Sequence, residues 1–160
     1  MSKPFFTAVA LTISCLSIVA CSGEAEAPAA EETDGIAGLQ INNARMMLAP
    51  VEGNPAAIYF DIAYDGERNI AIRRADVLDA GSAQLHDMME YNFEQTMGEM
   101  PPLMLQPGDE VSFEPGGKHV MAFEVSPELQ PGGTTEVTLT IAGGDKHSFE
   151  VPVMAAGEER

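Results

Sequence analysis

Hydrophobic residues in this chain recur in short alternating runs divided by turn residues. The clearest run is TEVTLTIA, residues 135–142, where Val137, Leu139 and Ile141 alternate with Thr138 and Thr140. A two-residue period of this kind predicts a strand with one buried and one wet face. LQINNARMML, AAIYFDIAY, IAIRRADVL, SAQLHDMM, EVSFEP, KHVMAFEV and HSFEVPVM read as further strands, each rich in β-branched or aromatic residues or alternating in polarity. Turn signals fall between them: EGNP at 52–55, YDGE at 64–67, QPGDE at 106–110, EPGG at 114–117, PGG at 131–133 and AGGDK at 142–146. No segment of a dozen residues holds a 3.6-residue period. The pattern predicts an all-β protein, a sandwich or small barrel of about 7–9 strands. One stretch resists it: in HDMMEYNFEQTMGEMPPLM, residues 86–104, the alternation breaks down and methionine density rises.

The first twenty residues have a different texture. Lys3 is followed by a largely apolar run from Phe5 to Ala20, which is short for a membrane span and suits the hydrophobic region of a signal peptide. The run ends in IVAC, residues 18–21, small residues before a cysteine that resemble a bacterial lipobox with Cys21 as the lipidated residue. The polar SGEAEAPAAEETDG that follows has the composition of a flexible tether. The expected organisation is a lipoprotein signal peptide over 1–20, a lipidated cysteine and acidic linker over 21–36, a folded domain over 37–154 and a tail over 155–160. Ser22 points to the outer rather than the inner membrane, with the domain held in the periplasm.

Composition narrows the chemistry. The two cysteines are Cys15, inside the leader, and Cys21, so the domain has neither a disulfide nor a thiolate metal site. Soft-metal chemistry would have to come from methionine sulfur. The formal charge is −17, and loss of residues 1–20 removes Lys3 and no acid, leaving about −18. Such a surface repels nucleic acid and is explained by solubility; it does not by itself point to a metal.

Six of the nine methionines beyond Met1 lie between His86 and Met121. Met46, Met47 and Met154 read as apolar filler, and His147 as an edge or surface histidine. His86 and His119 differ because each is followed two residues later by a methionine, Met88 and Met121. Residues two apart on a strand share a face, so each HxM unit sets an imidazole beside a thioether. Two such units meeting in space would suit Cu(I), which is soft and accepts neutral ligands, whereas thioether is a poor ligand for Zn(II), Ca(II) or Mg(II). A blue-copper electron-transfer centre needs a cysteine thiolate, which is lacking.

The spacing His86, ten residues, Met97, twenty-one residues, His119, one residue, Met121 matches the H-x10-M-x21-H-x-M pattern of the periplasmic PCu(A)C copper chaperones. LHDM at 85–88, PGG at 115–117, HVM at 119–121, the late VTLTI and VPV strands and the Ala44-Arg45 pair ahead of AAIYFDI resemble that family too. The likeness spans about residues 37–154. It implies a cupredoxin-like β-sandwich that binds Cu(I) on His86, Met97, His119 and Met121 and delivers it to a membrane copper enzyme such as cytochrome c oxidase; a monomer is expected. Where relatives carry a glycine and further methionines, this chain reads MEYNFEQT before Met97. Strand geometry favours Met88 beside His86 and the family spacing favours Met97, with Met88 and Met100 as alternative or auxiliary donors.

An enzyme is not expected: the domain shows no cysteine nucleophile, Ser-His-Asp set, P-loop or dinucleotide-binding glycine pattern. The competing expectation is a structural or interaction lipoprotein that moves no metal, since β-sandwiches serve many roles.

Overall fold

The computed structural model describes residues 35–91 and 94–158. The expected leader and Cys21 therefore lie outside the described residues, as does most of the linker. Among the described residues ten strands form: β1 (Leu39–Met47), β2 (Ala56–Tyr64), β3 (Ile70–Val77), β4 (Ala80–Tyr91), β5 (Glu94–Glu99), β6 (Leu103–Leu105), β7 (Asp109–Phe113), β8 (His119–Val125), β9 (Thr134–Ile141) and β10 (Lys146–Met154). Eight of them coincide with the alternating segments. The other two, β5 and β6, together with the far end of β4, lie where alternation was expected to fail. They are border strands that carry exposed methionines: Met97 on β5 is 48% exposed and Met104 on β6 is 62% exposed, while Leu105 of β6 turns into the core. With no core to face on those positions, nothing enforces an apolar period.

The strands run in the order β5-β4-β8-β2-β1-β10-β9-β3-β6, with β7 also paired to β2. β2 meets β8 through Ala56–Ile58 and β7 through Phe60–Tyr64. The other layer is β10, β9, β3 and β6, antiparallel throughout. A short parallel contact, Met46↔Val153 and Met47↔Met154, joins β1 to β10 and links the layers. The result is a cupredoxin-like β-sandwich.

Burial follows the sequence period. β2 alternates buried and half-buried along its whole length, and its inward Ile58, Phe60 and Ile62 meet Ile72, Val137, Leu139 and Val151 of the other layer in one cluster. Phe60 stacks on Phe113 at 4.4 Å between centroids and takes Phe149 edge-on at 5.3 Å. Burying such rings contributes about 1.5–3 kcal/mol each. Met46 is fully buried, as its filler reading requires. His147 sits on β10 opposite Leu139, and its Nδ1 accepts a hydrogen bond from the Ile36 amide at 3.3 Å. Its role is to tie down the entry to β1.

Candidate metal centre

The two HxM units come together on neighbouring strands. β4 and β8 are antiparallel, and His86 pairs with His119 in their register, with Gln84 opposite Met121. Directly opposed residues project to the same face, and the two rings stand 5.7 Å apart between centroids, at 65° to each other. Leu85, Val120 and Ala122 point the other way, into the core. Beside the histidines, Asp87 and Lys118 form an ion pair at 2.9 Å. It bridges the residues adjacent to the two histidines and supports the register that opposes them.

Antiparallel pairing has a consequence for the methionines. Met121 lies on one side of the histidine pair, beside Gln84, and Met88 lies on the other. β5 continues the sheet beyond β4, with Met97 opposite Met88 and Glu99 opposite His86. Met97, in the stretch where the alternation breaks down, is thus on a border strand. Met100 is half-buried and packs against the core, with its amide bonded to the Leu85 carbonyl at 2.9 Å.

Hydrogen bonds set which nitrogen each imidazole offers. His119 Nδ1 is 2.9 Å from the Gly117 carbonyl oxygen; a carbonyl only accepts, so Nδ1 carries the proton and Nε2 keeps its lone pair. The Gly117 oxygen is presented by a turn in which Gly116 has φ 82°, a conformation that glycine adopts without steric cost. On His86 the arrangement is reversed: Nε2 donates to Gln84 Oε1 at 3.0 Å, and Nδ1 is buried without a hydrogen-bond partner. A buried polar atom left bare is costly. It is also the atom that a metal would satisfy. Burial first, then the neighbouring His119, lowers the His86 pKa below 6.5, with Glu99 opposing, which keeps this imidazole neutral and fit to ligate.

The row of side chains extends past the histidines. Tyr59 on β2 lies 6.3 Å from the His119 ring, and Arg45 on β1, paired with Tyr59, places its guanidinium 5.2 Å over the tyrosine ring. Arg45 is aimed by a register shift between Asn42 and Arg45, where Asn43 adopts φ 53° and bonds Asp61 at 2.8 Å through its amide. Asparagine tolerates this left-handed conformation better than most residues. Phe123 closes the other flank, 6.2 Å from His86. His119 is consequently only 4% exposed. Burial also raises the Tyr59 pKa, opposed by Arg45. Beyond Met121 and Tyr59 the surface opens into a groove of about 900 Å³.

Sequence reasoning missed Gln84, Tyr59, Arg45 and the Gly117 carbonyl. Gln84 was accessible in principle, since it precedes His86 by two residues on the same face. The others required the strand order. Among the described residues, no group of three or more His, Cys, Asp or Glu side chains is placed to hold a metal ion. The thioethers of Met88 and Met121 share the histidines' face on β4 and β8, and thioether donors favour a soft cation.

The family model described as "Putative lipoprotein LpqE-like" matches residues 39–153. The copper-bound PCuAC domain from PmoF2 superimposes with a TM-score of 0.60 at 22% identity, over 76% of this chain and 96% of that one. The apo PmoF2 PCuAC domain gives 0.61 at 20% identity, over 79% and 97%. CuI-DR1885 from Deinococcus radiodurans gives 0.57 at 19% identity, over 79% and 84%. No protein of curated function matches the chain. At these identities the structural likeness speaks for the fold, in agreement with the resemblance carried by the His/Met spacing. The chain belongs to the LpqE-like family, on the fold of the PCu(A)C copper-binding domains.

Proposed function

We propose that this protein is an extracytoplasmic copper chaperone that binds one Cu(I) through His86, His119, Met121 and Met97 and hands it to a membrane copper enzyme, cytochrome c oxidase being the acceptor that family resemblance implies. The observation that carries the reading is the opposed His86–His119 pair, each ring with one nitrogen held by a protein oxygen and the other free, flanked on both sides by thioethers. Fixing the tautomer from outside is how metal-binding imidazoles are prepared. The copper named in the structural neighbours supports the cargo, and the lipoprotein description of the matching family supports attachment through Cys21. The chaperone works as a monomer in the periplasm, tethered to the outer membrane, and is not an enzyme.

All four donors are neutral, so bound Cu(I) keeps its single positive charge, and no donor loses a proton on binding except by titration of the imidazoles. Release to an acceptor is exchange of ligands one at a time, which the exposed Met97 permits. An anaerobic Cu(I) competition titration tests the reading, using the chain from residue 22 onward, which contains the whole compact unit 33–160. The expected result is one tightly bound equivalent, lost in a His119→Ala, Met121→Leu variant. Absence of binding by the unaltered protein would leave an interaction lipoprotein as the function.

A further inference from the structure

Met88 stands where the four-ligand reading has no use for it. It is half-buried, on the face of β4 that carries His86 two residues away, so the two Cα atoms are about 7 Å apart. It also directly opposes Met97, which brings their Cβ atoms to about 4.5–5.5 Å. Met97 lies on β5, one strand farther from His119 than Met88 on β4. β8 begins at His119, and the chain beside Met88 has already passed into the Gly116-Gly117 turn. The Met88 amide bonds instead to the Asp87 carboxylate at 2.8 Å. No β8 residue is paired with Met88. On its other side, Met97 sits on the last strand of the sheet, next to Gly98, whose lack of a side chain accommodates the Met89 methyl. A border strand with an internal glycine is loosely held.

Resting on the copper reading above, we propose that Met88 and Met97 form a two-sulfur relay at the sheet edge, onto which Cu(I) moves from the histidine pair during release. As the metal shifts, a Cu–S bond to Met88 forms while the Cu–N bond to His86 breaks; the Cu–N bond to His119 and the Cu–S bond to Met121 then break in turn, and Met97, already a ligand, keeps its Cu–S bond as the metal moves toward solvent. No electron moves, copper stays Cu(I), and each imidazole and the Met121 thioether leave as neutral donors with their lone pairs. Exposure rises along the path, from His119 at 4% to Met97 at 48%. An acceptor then meets copper held by thioethers alone, which are weaker donors than imidazole at neutral pH and are already at the surface.

Stopped-flow transfer of Cu(I) from the loaded protein to a saturating chromophoric chelator tests the relay, alongside equilibrium competition. Met88→Leu keeps the volume and removes the sulfur. The expected result is an affinity within about threefold of the parent and a transfer rate at least about tenfold slower, whereas Met97→Leu loses affinity as well. A Met88→Leu rate within twofold of the parent overturns the relay, and so does a loss of affinity as large as that of His119→Ala, which would make Met88 a resting ligand. In spectra of methionine-methyl carbon-13 labelled protein, Met88 and Met97 resonances should both respond to one equivalent of Cu(I); an unmoved Met88 signal contradicts the proposal. If the parent protein binds no Cu(I), the copper reading itself fails, before any variant is compared.

Discussion

His86 and His119, opposed across β4 and β8, keep opposite ring nitrogens unbonded: Nδ1 on His86 and Nε2 on His119. The Gln84 side chain and the Gly117 carbonyl impose this pairing. An imidazole pair set in mixed tautomers would meet a metal already ordered, which would reduce the ordering cost of binding.

Gln84 should therefore matter although it is exposed and would contact no copper. Gln84→Ala removes the acceptor from His86 Nε2 and is expected to weaken Cu(I) binding about tenfold, the scale usual for outer partners of metal ligands. Gln84→Glu retains an acceptor oxygen and should restore most of the affinity. Competition titration of both variants reads the effect, and an unchanged melting temperature separates it from misfolding.

The lowered His86 pKa makes a pH prediction with a definite sign. Burial and His119 oppose protonation in the folded state, so the proton competes with Cu(I) at His86 only below the ordinary imidazole value near 6.5. Affinity should hold as the pH falls to about 6.5 and decline below it. For the apo-protein, the unfolded chain takes up this proton first. Stability is accordingly full above 6.5 and is lost as the pH falls toward the folded-state pKa of His86. His86→Gln should remove that part of the loss, as measured by denaturation at a series of pH values.

Tyr59 walls off His119 from the groove and is held there by Arg45. Tyr59→Ala should cost about 1–3 kcal/mol of stability and speed the oxidation of bound Cu(I) in air by admitting solvent. Tyr59→Phe preserves the ring and should behave like the parent in both assays. Equal oxidation rates for Ala and Phe would show that the wall does not shield the site.

The Lys118–Asp87 pair supports the register but does not create it. Its side chains are 33% and 25% exposed, so solvent screening limits its worth to at most about 1 kcal/mol. Lys118→Ala should lower stability by that much or less, with the difference shrinking in high salt. The β4–β8 ladder should persist and copper binding with it.

Much of this was legible along the chain because the core enforces it. The alternation in AAIYFDIAY and TEVTLTIA is the alternation of buried and outward positions in β2 and β9. β5 and β6 escaped because border strands with exposed Met97 and Met104 carry no such constraint. The histidines were visible as two HxM units, but their meeting depended on which strands pair. That depends on long-range contacts: His86 and His119 are neighbours only because β8 inserts between β4 and β2. The same pairing separates Met88 from Met121 across the histidines, a result that local spacing does not contain. Asn43 and its left-handed turn of backbone likewise aim Arg45 from within a segment that reads as plain strand.

X-ray absorption at the copper edge of the Cu(I)-loaded protein tests the central claim most directly, because it counts donor types. The account predicts two nitrogen scatterers of imidazole type together with sulfur, and loss of imidazole scattering when His86 and His119 are both replaced by alanine. A first shell of sulfur alone, or one left unchanged by the double replacement, would contradict the claim that the opposed histidines hold the metal.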